Sequence, residues 1–416
     1  MSAANDPDWA RALQTLRHAT REDASGLAHG AGAALATARG AASSTDVALE
    51  DAPGRVLARD VRALCPVPHY ASSAMDGYAV NGPGPWRLVN AEDPARDTLP
   101  SAASDLALAP GTGVVVVTGG VIPEGTTTVV RDEYALRRGD AVELAPEAPR
   151  SELAGRHVRP TGTECAAGEI LLEAGAVVSP AHAAFAAVAG VDALPVRTAP
   201  RVALVLTGSE VVTEGLPGPG RVRDAFGMSL PHVVTGMGAV VGEIRRVADD
   251  AATLRDAVRA VSATHDLVVT TGGTARSRAD LVRPLLERDA RLLVDQLDMQ
   301  PGHPAVLAAA DDAAVLALPG NPLGAVVALL VLGGAFVTGF LGRPPAAPRR
   351  AVAGAEISGG RAERLVPARL EDGAWYPCRA VGSNMLRGLS AADGLLSVPR
   401  GGLHAGQPTT ALPLPW

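Results

Sequence analysis

The segment from Asp266 to Asp280 constrains the fold of this chain more than any other. Its apolar run, Leu267 to Val269, has the length and composition of a strand buried on both faces of a parallel sheet. The turn Thr271-Gly272-Gly273 follows, and the sequence then predicts a helix from roughly Ala279 to Glu287. Backbone amides at such a turn suit a phosphate or another oxyanion, and Asp280 adds a carboxylate of the kind that accompanies phosphate-bound Mg²⁺. A Gly-Gly turn after a strand also occurs simply as a turn, so this segment alone leaves both interpretations open.

Two more strand-to-turn units have the same organisation. The apolar stretch Arg201 to Leu206 ends at Thr207-Gly208, and Ala314 to Leu318 ends at Pro319-Gly320-Asn321-Pro322. Helix-like sequence such as Ala252 to Val261 separates the units. This alternation predicts a doubly wound parallel sheet, whose ligands bind beyond the carboxyl ends of the strands. The three turns are therefore expected to converge.

Composition narrows the class of protein. A length of 416 residues indicates two to four domains, and 37 basic against 44 acidic residues give a net charge of −7. All basic residues are arginine, and aromatic residues make up only 3% of the chain. Neither the charge nor the aromatic content favours binding of nucleic acid. The three separated cysteines are expected to be reduced thiols, and Asp6 and Asp8 argue against a signal peptide, so we expect a cytoplasmic protein.

The remaining sequence indicates further domains. A short amphipathic helix is predicted from Trp9 to Leu16, and the Ala-rich residues 24–42 suit either a second helix or a loose insert. Residues 111–144 alternate in the manner of a small β-rich domain. The apolar segment Leu323 to Leu341 has nearly the length of a membrane span, but flanking prolines and internal glycines favour a buried helix. After the proline-rich linker 343–348, short apolar runs predict a small β-barrel.

Several ordered motifs extend this interpretation. They are Ser73-Ala74-Met75-Asp76-Gly77-Tyr78-Ala79, Thr118-Gly119 followed by Pro123-Glu124-Gly125, Thr207-Gly208-Ser209-Glu210, Arg223-Asp224, Thr271-Gly272-Gly273 with Asp280, and Leu318 to Pro322. In sequence and order they closely resemble the molybdopterin molybdotransferase family, which includes MoeA-type proteins and the E domain of gephyrin. The resemblance covers nearly the whole chain.

The resemblance implies a multidomain α/β protein. Its expected parts are a discontinuous N-terminal domain (1–62 and 150–198), an inserted β-rich domain (63–149), the α/β molybdopterin-binding domain (199–343) and a C-terminal β-barrel (350–416). It also implies a homodimer in which the site is shared between the α/β domain of one chain and the inserted domain of the other. A transient contact with the molybdopterin adenylyltransferase is a further expectation.

The activity implied by the resemblance is insertion of molybdenum from molybdate into adenylylated molybdopterin, with Mg²⁺-assisted release of AMP. Catalytic roles then fall to Asp76, Thr118, Glu210 and Asp280, and Mg²⁺ ligation to Glu210, Asp224 and Asp280. The substrate-binding positions are Thr207, Gly208, Thr271, Gly272, Gly273, Pro319, Gly320, Asn321, Pro322, Gln300 and His303. These residues favour neither molybdenum nor tungsten.

One part of the site departs from the family. Two lysines usually flank a Pro-Gly turn before the last strand, where this chain has Gln300 and His303, and Gly324 replaces a serine. Arg276 and Arg278 restore some positive charge from a different side. Two functions therefore stay open: a working transferase with an altered anion site, which the retained acids favour, or a non-catalytic paralogue that binds molybdopterin or a partner protein.

Overall fold

The computed structural model describes residues 7–40, 44–89, 106–149, 153, 155–274 and 280–416. The chain divides into two units, one comprising residues 1–45 and 197–416 and the other residues 46–196. Arg276 and Arg278 lie outside the described residues. The domain boundaries that the resemblance implies stay a prediction.

Seven α-helices form within the described residues. They are α1 (Arg21–Ala38), α2 (Pro180–Val188), α3 (Phe226–Gly236), α4 (Ala251–Ser262), α5 (Val282–Asp289), α6 (Pro322–Ala328) and α7 (Gly334–Phe340). A π-helical turn, Leu329–Gly333, joins α6 to α7, and short 3₁₀ turns occupy Asp8–Ala10, Leu49–Asp51, Asp132–Tyr134 and Leu389–Ala391. The Ala-rich segment is therefore a helix for most of its length, α1.

The first unit contains a sheet of seven strands. In spatial order they are Leu16–Ala19, Arg291–Leu297, Val306–Ala309, Ala314–Leu318, Leu267–Thr271, Arg201–Thr207 and Val240–Val247. The predicted strand at Leu267 is confirmed, and all five of its residues are buried. Helices α4 and α5 pack on one face, where Leu254, Val258 and Leu286 contact Ala203, Val268 and Val315.

The sheet is mixed, so the prediction of an all-parallel sheet was wrong in part. The last four strands in this order are parallel to one another, but Val306–Ala309 runs antiparallel to the strands on both sides. Only four residues separate it from Ala314–Leu318. A connection that short can make a hairpin, whereas a parallel pair needs a crossover of about a dozen residues or more.

The predicted helix from Trp9 to Leu16 was also wrong. The segment has one 3₁₀ turn, and Leu16–Ala19 joins the sheet edge, parallel to Arg291–Leu297. Long-range hydrogen bonds hold this extended chain: Trp9 Nε1 donates to Ala310 O at 3.3 Å, and Arg291 Nη1 donates to Ala10 O at 3.0 Å. These tertiary contacts outweigh the weak local preference for a helix.

The apolar stretch from Pro322 to Phe340 is a core helix of the first unit. By length and composition alone it could cross a membrane, but 83% of its most apolar window is buried inside the structure. Helix α1 crosses α7 at glycines on both sides. A Cβ on Gly32 would lie 2.0 Å from Phe336 O, and a Cβ on Gly339 would lie 2.0 Å from His29 O. The helices can approach this closely only because both positions lack a side chain.

We expect Gly32→Ala to destabilise the protein by about 1–3 kcal/mol or more, because the added methyl group overlaps the α7 backbone. Gly26→Ala in the same helix is the matched control. A Cβ there meets nothing within 4 Å, and replacing a helical glycine by alanine gains about 0.5–1 kcal/mol. Urea unfolding followed by circular dichroism measures both. Equal midpoints for the two variants would contradict the close crossing.

The second unit contains a sheet of six strands. In spatial order they are Thr128–Arg131, Gly77–Val80, Thr112–Val116, Trp86–Leu88, Ala141–Leu144 and Ala135–Arg138. Its core includes Val80, Trp86, Val130 and Val142. Smaller paired strands are Val61–Arg62 with Ile170–Leu172, Ser72–Ser73 with Val158–Arg159, and Ser44–Ala48 with Ala193–Arg197.

A second sheet of the first unit contains most of the C-terminal residues. Its strands are Met299–Gln300, Glu363–Glu371, Gly394–Val398, Pro408–Pro413 and Arg349–Val352 in spatial order, with Ala374–Pro377 paired to Glu363–Glu371. The strand Met299–Gln300 comes from the chain between two strands of the mixed sheet. A two-residue pair, Val211–Val212 with Val222–Arg223, completes the unit. A closed C-terminal barrel stays a prediction.

Candidate active site

Three strand ends converge at one edge of the mixed sheet, as the sequence predicts. In the register of the parallel strands, Thr271 lies beside Leu206 on one side and Leu318 on the other. Thr207 Oγ1 donates to Thr271 O, and the Gly272 amide donates to Leu318 O at 2.9 Å. The turns that follow Leu206, Thr271 and Leu318 therefore form one continuous rim.

Glycine permits the close packing of this rim. Gly272 and Gly273 have φ angles of +76° and +65°, a region that L side chains rarely adopt. A Cβ on Gly273 would lie 3.0 Å from the amide nitrogen of Val282 and 3.2 Å from that of Leu281. The first amides of α5 therefore lie directly beside the turn. Amides at a helix N-terminus carry partial positive charge, which suits phosphate oxygens.

The predicted carboxylates have different surroundings. Glu210 is exposed, and its two carboxylate oxygens lie 3.2 and 3.3 Å from where a Cβ on Gly208 would be. Asp280 is half-buried and lies two residues before α5. Among the described residues, no group of three or more His, Cys, Asp or Glu is placed to hold a metal ion. The structure does not gather the three predicted Mg²⁺ ligands into one such group.

Asp224 is already engaged by other groups. Its Oδ1 accepts hydrogen bonds from the amides of Phe226 and Gly227, each at 3.0 Å, at the start of α3. Its Oδ2 forms an ion pair with Arg246, and the carboxylate is only 6% exposed. These contacts explain the buried charge without a metal ion.

Asp76 and Thr118 lie together in the second unit. Asp76 Oδ1 accepts from the Thr118 amide at 2.7 Å and from Thr118 Oγ1 at 3.0 Å, and both residues are exposed. Nearby in the chain, burial raises the pKa of the Tyr78 phenol, and the negative charge of Asp132 raises it further. Tyr78 therefore stays protonated at neutral pH. Asp76 is the anionic group of this motif.

A cleft of about 420 Å³ lies beside the Pro301-Gly302 turn of the first unit. It is lined by Gln300, Pro301, Gly302, His303, Pro304, Pro319, Asn321, Gly324, Arg364, Leu365, Val366, Val381 and Ser383. The two positions that depart from the family, Gln300 and His303, thus line the same cleft as the turn at Pro319.

Arg364 is a charged residue of this cleft that the sequence analysis did not indicate. It lies directly beside Gln300 where Met299–Gln300 pairs with Glu363–Glu371, and its Nη1 donates to Ser358 O at 3.0 Å. A guanidinium is always charged at neutral pH and presents several donors to an oxyanion. No local motif marks Arg364, because only the pairing of two distant strands brings it here.

The histidine in the cleft has a fixed orientation. His303 Nδ1 lies 2.5 Å from Leu297 O, and because a carbonyl can only accept, Nδ1 carries the hydrogen. In the neutral ring Nε2 is then an acceptor, and protonation converts it to a donor. His303 can therefore bind an oxyanion through Nε2 only in its cationic form.

Steric crowding does not explain why Gly324 stands where the family has a serine. A Cβ on Gly324 would lie 3.5 Å from Gly302 N and 3.6 Å from Pro319 Cγ, both ordinary contact distances. The Gly324 amide donates to Ser383 O at 3.2 Å, so a C-terminal loop covers the first turn of α6. The cleft has room for a serine at this position.

These features define a class of protein, an α/β domain with a rim of glycine turns suited to an oxyanion and an adjoining polar cleft. Three family models match the chain in order. They are the MoeA N-terminal region, domains I and II (residues 16–190), a probable molybdopterin binding domain (203–337) and the MoeA C-terminal region, domain IV (350–414).

Individual relatives of this chain belong to the same family as these three family models. Molybdopterin molybdenumtransferase 2 of Mycobacterium tuberculosis is 31% identical over 371 residues, covering 85% of this chain and 90% of its own length. Molybdopterin molybdenumtransferase of Haemophilus influenzae is 28% identical over 288 residues, covering 67% and 68%. The chain belongs to the MoeA-type molybdopterin molybdenumtransferase family. In fold it matches the molybdopterin biosynthesis MoeA protein of Pyrococcus horikoshii, with a TM-score of 0.73 and 21% identity over 96% of this chain and 99% of that one.

Proposed function

We propose that this protein is a transferase of molybdenum cofactor biosynthesis, which inserts molybdenum from molybdate into adenylylated molybdopterin and releases AMP. The observation that carries the proposal is the convergence of three glycine turns on one rim beside a cleft that contains Arg364. In this proposal the polyanionic adenylate binds at the rim, and the smaller anion, molybdate, binds in the cleft.

The rim suits the phosphate groups of the adenylate. The Gly273 amide and the first amides of α5 would offer neutral donors without bulky side chains. Thr207 is fixed by its hydrogen bond to Thr271 O, so the edge of the rim is rigid. These groups would orient the phosphates, so that the phosphoanhydride bond that releases AMP is held in one place.

Mg²⁺ fits the carboxylates only in part. A magnesium ion at phosphates commonly takes one or two protein carboxylates, with phosphate and water oxygens completing its six ligands. Exposed Glu210 and half-buried Asp280 would serve as those two. Asp224 accepts hydrogen bonds from the first amides of α3 and pairs with Arg246. When bound, Mg²⁺ supplies neutralisation of phosphate charge. Asp224 would act by holding α3 and Arg246 in place.

The cleft suits molybdate. Arg364 gives permanent positive charge, Gln300 gives an amide donor and His303 adds charge when protonated. Substitution of the two family lysines therefore weakens the anion site without abolishing it, which favours the transferase over a non-catalytic paralogue.

The family resemblance supports further proposals. We infer a cytoplasmic homodimer that meets the molybdopterin adenylyltransferase transiently and carries a C-terminal barrel. Its site would combine the rim of one chain with Asp76 and Thr118 of the other. The two hydrogen bonds from Thr118 hold the Asp76 carboxylate as a fixed acceptor for a substrate proton or donor.

The function is tested in cells that lack their own molybdopterin molybdotransferase. Expression of this chain is expected to restore activity of a molybdenum enzyme such as nitrate reductase, because the proposal gives the chain both a phosphate-binding rim and an anion cleft. A chain carrying Thr118→Val and Asp76→Ala is the control, with its folding checked by circular dichroism. Failure of the well-expressed natural chain at high molybdate would overturn the proposal.

The metal assignment predicts a second result. Asp280→Asn keeps the size of the side chain but removes its charge, so about tenfold more Mg²⁺ should be needed for half-maximal turnover. Asp289→Asn, at the other end of α5, is the matched control and should leave the Mg²⁺ titration unchanged. An unchanged titration for Asp280→Asn would remove it from the metal site.

A further inference from the structure

His18 stacks on the histidine of the anion cleft. The ring centroids of His18 and His303 are 6.1 Å apart, and the ring planes differ by 22°. His18 belongs to the edge strand Leu16–Ala19, and His303 lines the cleft beside the Pro301-Gly302 turn. Both side chains are exposed, so solvent and small anions can reach the pair.

The backbone is distorted where the two rings meet. His18 has a φ angle of +51°, and Gln296 on the neighbouring strand has a φ angle of +70°. The two residues lie opposite each other, because the pairs on either side of them are Arg17 with Asp295 and Ala19 with Leu297. The left-handed region is uncommon for residues other than glycine, and such conformations cluster at functional sites. Here the distortion interrupts the regular alternation of the strand pair at the position that stacks on His303.

His303 itself is held from behind. Its Nδ1 donates to Leu297 O, and the Leu297 amide donates back to His303 O at 2.9 Å. The ring therefore cannot turn freely toward or away from His18. Protonation adds a donor at Nε2 of a ring whose position is already fixed.

We propose that His18 is a second imidazole of the oxyanion subsite, which binds a tetrahedral dianion such as molybdate jointly with His303. This inference rests on the proposed function and adds His18 to the residues that would bind molybdate. Without an anion, one protonated ring disfavours protonation of its neighbour, because like charges repel. A dianion reverses this, since it favours the charged form of both rings. Anion binding then takes up protons and strengthens as pH falls.

The other charged groups near the pair are arginines and carboxylates that pair with arginine. Arg17 and Arg364 are permanent cations. The carboxylates on the flanking strands each have an arginine partner: Asp295 pairs with Arg283, Asp298 with Arg400 and Glu363 with Arg21. Histidine is the side chain whose ordinary pKa lies between pH 5 and 8. Of the residues named here, the two histidines are the ones of this type.

The test is molybdate binding by calorimetry, with the full chain at pH 6 and pH 8 and micromolar molybdate. His18→Asn is the informative variant, because asparagine tolerates the left-handed backbone of this position. Loss of one charge-assisted hydrogen bond should weaken binding about tenfold at pH 6 and less than about twofold at pH 8. His404→Asn, an exposed histidine outside the cleft, should bind as the natural chain does.

A second measurement is the titration of the histidine rings by NMR without molybdate. His18→Asn should move the His303 midpoint to higher pH, because a neighbouring cation has been removed. An unchanged midpoint, or pH-dependent molybdate binding that His18→Asn leaves intact, overturns the role of His18 while the proposed function stands. Absence of molybdate binding by the natural chain at either pH overturns both.

Discussion

An equal mixture of Asp76→Ala and Asp280→Ala chains is expected to recover about a quarter of the natural activity, while each variant alone stays inactive. The reason is the symmetry of the proposed dimer. If each site takes Asp76 from one chain and Asp280 from the other, a mixed dimer has one intact site and one doubly defective site. Random exchange makes half of the dimers mixed, which gives about a quarter of all sites intact.

The measurement is transferase turnover after the two chains have exchanged subunits, with equilibrium sedimentation to establish the dimer. A mixture of Asp280→Ala with Glu210→Ala is the control, because both changes affect the same side of the proposed site. That mixture should recover nothing. A monomer in sedimentation, or no recovery with the first pair after proven exchange, would exclude a site shared between chains.

The largest gain in molybdate affinity is expected when lysine is placed at the two positions where the family has it. The double variant Gln300→Lys with His303→Lys should bind molybdate about 10- to 100-fold more tightly than the natural chain at pH 8. Two ammonium groups would replace an amide and an imidazole, and charge-assisted hydrogen bonds are about twice as strong as neutral ones. Arg364 remains in the cleft in both proteins.

The chain offers a closely matched control for this gain. His404→Lys with Gln407→Lys introduces the same two substitutions outside the cleft, at residues joined by a hydrogen bond from the His404 amide to Gln407 Oε1 at 3.0 Å. Calorimetry should show that this control variant binds molybdate no more tightly than the natural chain does. The natural chain itself should bind molybdate more weakly as pH rises. Tight, pH-independent binding by the natural chain would mean that Arg364, or Arg276 and Arg278, already compensate for the lysines.

Local physics explains what the sequence determined. The buried strand at Leu267, the turn at Gly272-Gly273 and the helix that begins at Pro322 follow from apolar runs, glycine and proline, whose preferences are set by the residue and its close neighbours. The convergence of three turns was predictable too, because the carboxyl ends of adjacent parallel strands share an edge. The motifs indicated Asp76 and Thr118 only as separate site residues, and the hydrogen bond between them is seen in the structure.

Tertiary structure decided the rest. The strand Val306–Ala309 has the apolar composition of a parallel strand, but it pairs antiparallel with the strands on both sides. Asp224 looks like a ligand in sequence but caps α3 and meets Arg246. Arg364 lines the cleft because Glu363–Glu371 pairs with Met299–Gln300. His18 meets His303 where Leu16–Ala19 pairs with Arg291–Leu297. Such pairings depend on the burial of whole faces rather than on nearby residues, so no local pattern could place Arg364 in the cleft or His18 against His303.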